Sequence, residues 1–226
     1  MNSLPMTTEA EVATGRRFPP AGVRAVVFDV VGTLVEPSPS VAEAYAHAGL
    51  RHGVPLETAD IQRRFRAAWR RQETIDAAAM PAYATSPARE AERWREIVAD
   101  VFERPPGSDA IFADLWEHFG RADAWRPLSA GVDLVRATLD AGLTVALASN
   151  FDERLFAISG MIEPLSWAHH VFASSEIGWR KPALEFFRTV ERRLGHGPHE
   201  LLLVGDDPEL DIAAAGRAGW HTLPIA

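Results

Sequence analysis

The 226-residue sequence contains no cysteine. That excludes disulfides, thiolate metal sites and a cysteine nucleophile. Lysine is nearly absent as well: lysines and arginines total 23, and only Lys181 is a lysine. A GC-rich genome accounts for the arginines but not for the single lysine that stays. No apolar run approaches the roughly 20 residues of a membrane span, and the N-terminus lacks a basic-then-apolar leader pattern. No GxSxG elbow, Walker loop, GxGxxG or HExxH occurs, so several hydrolase, nucleotide and zinc chemistries lose their usual signature. A net charge of −8 does not favour a nucleic-acid partner. The rest is an ordinary soluble profile, 47% hydrophobic and 24% charged, and the expectation is a cytoplasmic protein with a small-molecule partner.

Residues 1–20 show no sustained periodicity and end in a double proline, which predicts a flexible tail. The apolar run "VRAVVFD" then predicts a strand buried on both faces. Residues 40–121 carry helical faces instead. Val41, Ala44, Tyr45 and Ala48 share one, and Ile61, Phe65, Ala68 and Trp69 another. Trp94, Ile97, Val98 and Val101 form a third, and Ile111, Leu115, Trp116 and Phe119 a fourth. Trp69, Trp94 and Trp116 are expected in the core of this block, and arginines such as Arg51, Arg63, Arg70 and Arg71 on its solvated faces. From residue 128 helices and apolar strands alternate, and Gly142 is a natural helix stop. Such alternation predicts a mainly parallel sheet with right-handed crossovers. The expected organisation is an α/β core over 21–39 and 122–226, with a helical insert over 40–121.

In an open parallel sheet, ligands bind beyond the carboxyl ends of the strands. The first apolar run delivers Asp29 there, "LTVALASN" delivers Ser149 and Asn150, and "ELLLVGDD" delivers Asp206 and Asp207. Lys181 stands before Pro182 at a helix start. Singly, each has an ordinary explanation: Asp29 as a turn residue, Asp207 as an N-cap, Asp211 as a first-turn acid, Lys181 as a surface charge. Together they suit attack by a carboxylate on an anionic phosphoryl group with charge relief from a cation. Asp29 and Asp206 would share Mg²⁺, which favours oxygen ligands. Ser149, Asn150 and nearby backbone N–H groups would hold phosphate oxygens, and Lys181 would act as a point charge.

Four stretches in order, "FDVVGTL", "VALASNFDERL", "SSEIGWRKP" and "LLVGDDPELD", resemble the motifs of the haloacid dehalogenase-like (HAD) hydrolase superfamily. The block between the first two resembles the helical C1 cap of its subfamily I, and "SNFDERL" with "GTLVEPSPSVAEAYAHAG" resembles a REG-2-like branch. The resemblance implies a Rossmann-like core with strand order 5-4-1-2-3 and a cap that closes over the site. It implies Asp29 as nucleophile, Asp206 as metal ligand, and Asp211 or Asp207 as a supporting acid, with the spacing favouring Asp211. It also implies phosphate contacts from Ser149, Gly32 and Thr33, and charge neutralisation by Lys181.

One position departs from that pattern. Phosphatases of the family place a second aspartate two residues after the nucleophile, where this sequence has Val31. Valine carries no proton, and losing general acid–base help slows such a reaction by typically ~10²–10⁴-fold. The Val31 backbone carbonyl would still be available to Mg²⁺. The expectation is therefore a phosphatase-type hydrolase acting on a small phosphorylated substrate. The alternatives are a weakened, binding or regulatory member, or a 2-haloacid dehalogenase-like hydrolase. Absence of any lysine in 40–121 excludes the cap-lysine chemistry of phosphonoacetaldehyde hydrolases.

Overall fold

The computed structural model describes residues 18–225; the body of the expected tail, 1–17, lies outside the described residues. Phe18, the first of them, is buried against the sheet. The sheet contains β1 (Ala25–Phe28), β4 (Thr144–Ser149), β5 (His170–Ala173), β6 (Leu201–Gly205) and β7 (His221–Pro224). Its order is β5-β4-β1-β6-β7, every pair parallel. Counted among these five strands alone, that is 3-2-1-4-5, the expected 5-4-1-2-3 order read from one edge to the other.

β1 is buried at all four positions because its side chains alternate between two apolar layers. Val26 and Phe28 meet Leu134 and Val135 of α5 (Ser129–Asp140), and Leu155 and Ile158 of α6 (Arg154–Ser159). Ala25 and Val27 meet Phe186, Phe187 and Val190 of α8 (Leu184–Leu194), and Ala214 and Ala215 of α9 (Ala214–Ala218). A short α7 (Ser174–Ile177) follows β5, and a π-helical turn, Pro208–Ala213, leads into α9.

Between β1 and β4 the chain builds α1 (Val41–Arg51), α2 (Thr58–Ala78), α3 (Pro87–Val101) and α4 (Ser108–Phe119). The four helical faces meet in a separate core around Tyr45, Ala48, Ile61, Ile97, Val101 and Leu115. Two features absent from the sequence reading join this unit to the sheet. β2 (Val35–Pro37) and β3 (Trp125–Pro127) pair antiparallel where the chain leaves and returns. Opposite them, Tyr83–Thr85 pairs with Gly178–Arg180 through Thr85 N–H to Gly178 O at 3.0 Å and Arg180 N–H to Tyr83 O at 3.0 Å.

The second junction encloses charge. The Arg180 guanidinium donates to Glu90 Oε1 at 2.6 Å, Arg89 pairs with Asp76 at 2.6 Å, and Arg93 pairs with Asp76 and Glu73. Arg93, Arg180, Asp76 and Glu90 are all buried. Such a network holds its geometry because each charge left alone there would face a large desolvation penalty. It fixes the loop that ends in Lys181 against α2 and α3.

Candidate active site

The carboxyl ends of β1, β4 and β6 meet the loop from α7 to α8, and a group of charges forms there. Asp29 follows β1, and its N–H donates to Val204 O at 2.9 Å, which anchors it against β6. Lys181 is buried, and its Nζ donates to Asp29 Oδ1 at 2.7 Å, Asp211 Oδ1 at 2.6 Å and Ala148 O at 3.2 Å. All three ammonium hydrogens are thereby matched. Three donors converging from one compact nitrogen suit lysine and not the planar, longer guanidinium, which is a physical reason for a lysine here in an arginine-rich chain.

Burial works against the charge on Lys181, but the adjacent Asp29 and Asp211 carboxylates outweigh it and hold its pKa above the ordinary lysine value. Stability from this raised group is fully present below the ordinary value of ~10.4 and is lost only as pH rises through the folded value. Burial pushes the Asp211 carboxyl up, with Lys181 opposing and Asp29 adding to the rise. Partial desolvation also raises Asp206, although Thr33 Oγ1 donates to its Oδ1 at 3.1 Å and opposes the shift.

One carboxylate oxygen each from Asp29, Asp206 and Asp211 lies within 4.8 Å of the other two. Fully ionised, these three carboxylates and the Lys181 ammonium leave a formal charge of −2. A divalent cation with oxygen ligands balances that excess, so the donor set fits Mg²⁺ or a similar hard ion. Asp206 faces solvent at the rim. Two glycines make room for the carboxylates. A Cβ on Gly205 would lie 2.5 Å from Asp211 Oδ2, and one on Gly32 would lie 2.4 Å from Asp206 Oδ2. Gly32 also has φ +92°, in the region that side chains avoid.

The other expected site residues divide. Ser149 is buried at the end of β4 and lines the cavity above Asp29. Val31 is half-buried beside it and also lines the cavity. Asp207 caps the π-helical turn, its Oδ1 accepting from Glu209 N–H and Leu210 N–H at 2.8 Å. The groups expected to hold phosphate at Gly32 and Thr33 already have partners: Gly32 N–H donates to Val35 O at 2.8 Å, and the Thr33 hydroxyl is on Asp206.

Asn150, expected among the phosphate contacts, has its side-chain amide engaged by the Lys181 backbone. Its Nδ2 donates to Lys181 O at 2.9 Å and its Oδ1 accepts from Lys181 N–H at 2.8 Å. Both ends of the amide therefore hold the Lys181 backbone in place. Asn150→Ala is expected to lower kcat by about 10–100-fold through misplacement of the ammonium, with KM little changed. Steady-state kinetics check this; a rise in KM at constant kcat would instead make Asn150 a substrate contact.

A cavity of about 470 Å³ runs from the charged group into the helical unit. Trp69, Trp94 and Trp116 line it while remaining half-buried, so the core placement expected of them is shared with a cavity wall. Trp69 and Trp94 pack on that core with one side and face the cavity with the other. Of the arginines, Arg51, Arg63 and Arg71 make exposed ion pairs, while Arg70 reaches the cavity.

A family model described as a haloacid dehalogenase-like hydrolase matches residues 23–219. The human haloacid dehalogenase-like hydrolase domain-containing protein 3 is 28% identical over 209 residues, covering 90% of this chain and 82% of that protein. The Drosophila melanogaster rhythmically expressed gene 2 protein is 24% identical over 218 residues, covering 88% and 81%. Among solved structures, L-2-haloacid dehalogenase from Xanthobacter autotrophicus, with chloropropionic acid covalently bound, is similar at a TM-score of 0.70 and 22% identity. That match covers 90% of this chain and 78% of the other, and at this identity it shows a shared fold. Among the described residues no helix is long and apolar enough to cross a membrane.

Proposed function

This chain belongs to the haloacid dehalogenase-like hydrolase family, in its REG-2-like branch, and from that premise we propose a magnesium-dependent, phosphatase-type hydrolase that forms an aspartyl-phosphate on Asp29. The observation that carries the proposal is the clustering of Asp29, Asp206 and Asp211, with the Lys181 ammonium on Asp29 and Asp211. Asp29, Asp206 and the Val31 carbonyl would hold Mg²⁺, with Asp211 in support. When bound, the ion would supply electrostatic relief for the negative charge that collects on the phosphoryl oxygens.

The remaining work falls to the chain itself. Asp29 Oδ2 is free of the Lys181 contact that engages Oδ1, so it is the oxygen available to attack phosphorus. Lys181 holds Asp29 Oδ1 in place and adds positive charge beside the transferring group. Ser149, at the end of β4, would donate to a phosphate oxygen. Residues 40–121 would act as a cap that covers the site and excludes water.

The test is a trapped intermediate. The full chain is mixed with acetyl phosphate and Mg²⁺, quenched in acid and digested. One added phosphoryl mass is expected on the peptide containing Asp29, removable by hydroxylamine and missing in Asp29→Asn. A label elsewhere, or one that survives Asp29→Asn, overturns the assignment. A second reading, a binding or regulatory protein with little turnover, draws on Val31, since no proton donor stands at the usual place. The acidic group argues against halide chemistry, which needs no cation.

A further inference from the structure

We propose that the substrate is an aryl phosphate: a single phosphate ester whose organic part is an uncharged aromatic ring and whose leaving group is a phenolic oxygen. The inference rests on the reading of Asp29 as the phosphoryl-accepting nucleophile, and two independent features carry it further.

The first is the wall of the cavity. Above the charged floor, α2, α3 and α4 present Trp69, Trp94, Phe112 and Trp116, and the base adds Trp125 and Phe151. Trp69 and Trp94 stand 5.7 Å apart by ring centroid, Phe112 and Trp116 5.4 Å, and Trp125 and Phe151 5.8 Å, each pair tilted. One face of Trp69 is covered by Arg93, one of Phe112 by Arg95 and one of Trp116 by Arg154; the remaining faces and edges, at these angles, suit another ring, which gains both apolar burial and aromatic contacts.

Of the arginines that line the cavity, Arg154 is committed to protein partners. Arg154 lies 3.5 Å over the Trp116 ring, but its guanidinium is taken up by Asp152 at 2.6–2.7 Å and by Trp116 O at 2.6 Å. Arg66 and Arg70 line the cavity from exposed positions. A sugar phosphate would place its hydroxyls against indole and phenyl rings, and each one left without a partner would weaken binding. The volume of about 470 Å³ falls within the range of small-molecule sites and is far more than a short 2-haloacid fills.

The second feature is Val31. With no proton to offer, the site favours a group that departs as an anion. A phenol has a pKa of ~10, as tyrosine does, whereas an alkyl alcohol is about as weak an acid as water, at ~15.7. The aryl oxide therefore leaves with far less need of an acid. Asp29 Oδ2 bonds to phosphorus as the P–O(aryl) bond breaks, and the bonding pair departs with the aryl oxide, which is protonated by water. A water oxygen then bonds to phosphorus as the P–O(Asp29) bond breaks. Inorganic phosphate leaves, one proton passes to solvent, and the carboxylate is restored. Pocket lining and leaving-group chemistry thus select the same class.

The test pairs binding with turnover, on the full chain with Mg²⁺. Phenylphosphonate and methylphosphonate, which have no P–O–C bond to break, are titrated by calorimetry. Phenylphosphonate is expected to bind at least about tenfold tighter, the effect of burying one ring. Phe112→Ala, and independently Trp69→Leu, should remove most of that preference. Phenyl phosphate should be hydrolysed at least about 10²-fold faster than ethyl phosphate, with acetyl phosphate as the small activated reference. Equal binding of the two phosphonates overturns the substrate class; if acetyl phosphate is still turned over through Asp29, the phosphatase reading survives alone. Tight phenylphosphonate binding with no Asp29-dependent turnover of any ester overturns both, because it leaves a ring-binding pocket and no leaving group.

Discussion

Lys181→Met is expected to lower activity by about 10²–10³-fold and stability by about 3–5 kcal/mol at neutral pH. The variant removes the cation that, alone among the described residues, touches both Asp29 and Asp211. Methionine fills similar space but leaves two buried carboxylates facing each other. The stability loss should shrink as pH falls. Asp211 is already raised by burial, and Lys181 is the group that opposes the rise. Without the ammonium its folded pKa climbs further. The folded state then binds protons more readily than the unfolded chain, so stability increases as pH drops. Denaturant titrations at pH 5 and pH 8 read this directly. A pH-independent loss below about 1 kcal/mol would show that the ammonium does not compensate the pair. Lys181→Arg is expected not to rescue, because the guanidinium cannot place three donors on Asp29, Asp211 and Ala148 O from one nitrogen.

Val31→Asp should act in the opposite direction, raising turnover of alkyl phosphates by about 10²–10⁴-fold, the usual contribution of a general acid–base group. Val31 lies half-buried at the cavity beside Asp29, so the new carboxyl enters the same space as the leaving oxygen. Phenyl phosphate should gain much less, since its oxide departs without help. The informative quantity is the ratio of the two gains, measured side by side at saturating Mg²⁺. A large gain identifies the missing proton carrier as the only defect in an otherwise complete site. No gain on either ester would favour the binding or regulatory reading, in which Val31 accompanies a site no longer used for turnover.

Much of this was legible in the linear chain because the signals are local. β1 reads as a doubly buried strand from four consecutive apolar residues. Asp29, Ser149 and Asp206 fall at strand ends because a side chain just past a parallel strand has nowhere to point but the sheet edge. The helical faces of α1 to α4 follow from 3.6-residue periodicity. The β2–β3 pair escaped notice because each strand has three residues and its partner lies about ninety positions away. The pairing of the Asn150 amide with the backbone of Lys181, 31 residues on, is invisible in the linear chain because the two meet only across the sheet edge.

The sequence by itself therefore determined the order of elements, the charged residues that collect at one sheet edge, and the valine, Val31, two residues after Asp29. Tertiary structure decided what those residues do to one another. It set Asp211, which the spacing already favours, against the Lys181 ammonium, while Asp207 is drawn into capping the turn that follows it. It also placed Trp69, Trp94 and Trp116 against a cavity as well as a core. Periodicity states which face of a helix is apolar. Whether that face meets other side chains or open space depends on the distance between helices, and that distance is set by packing across the whole molecule.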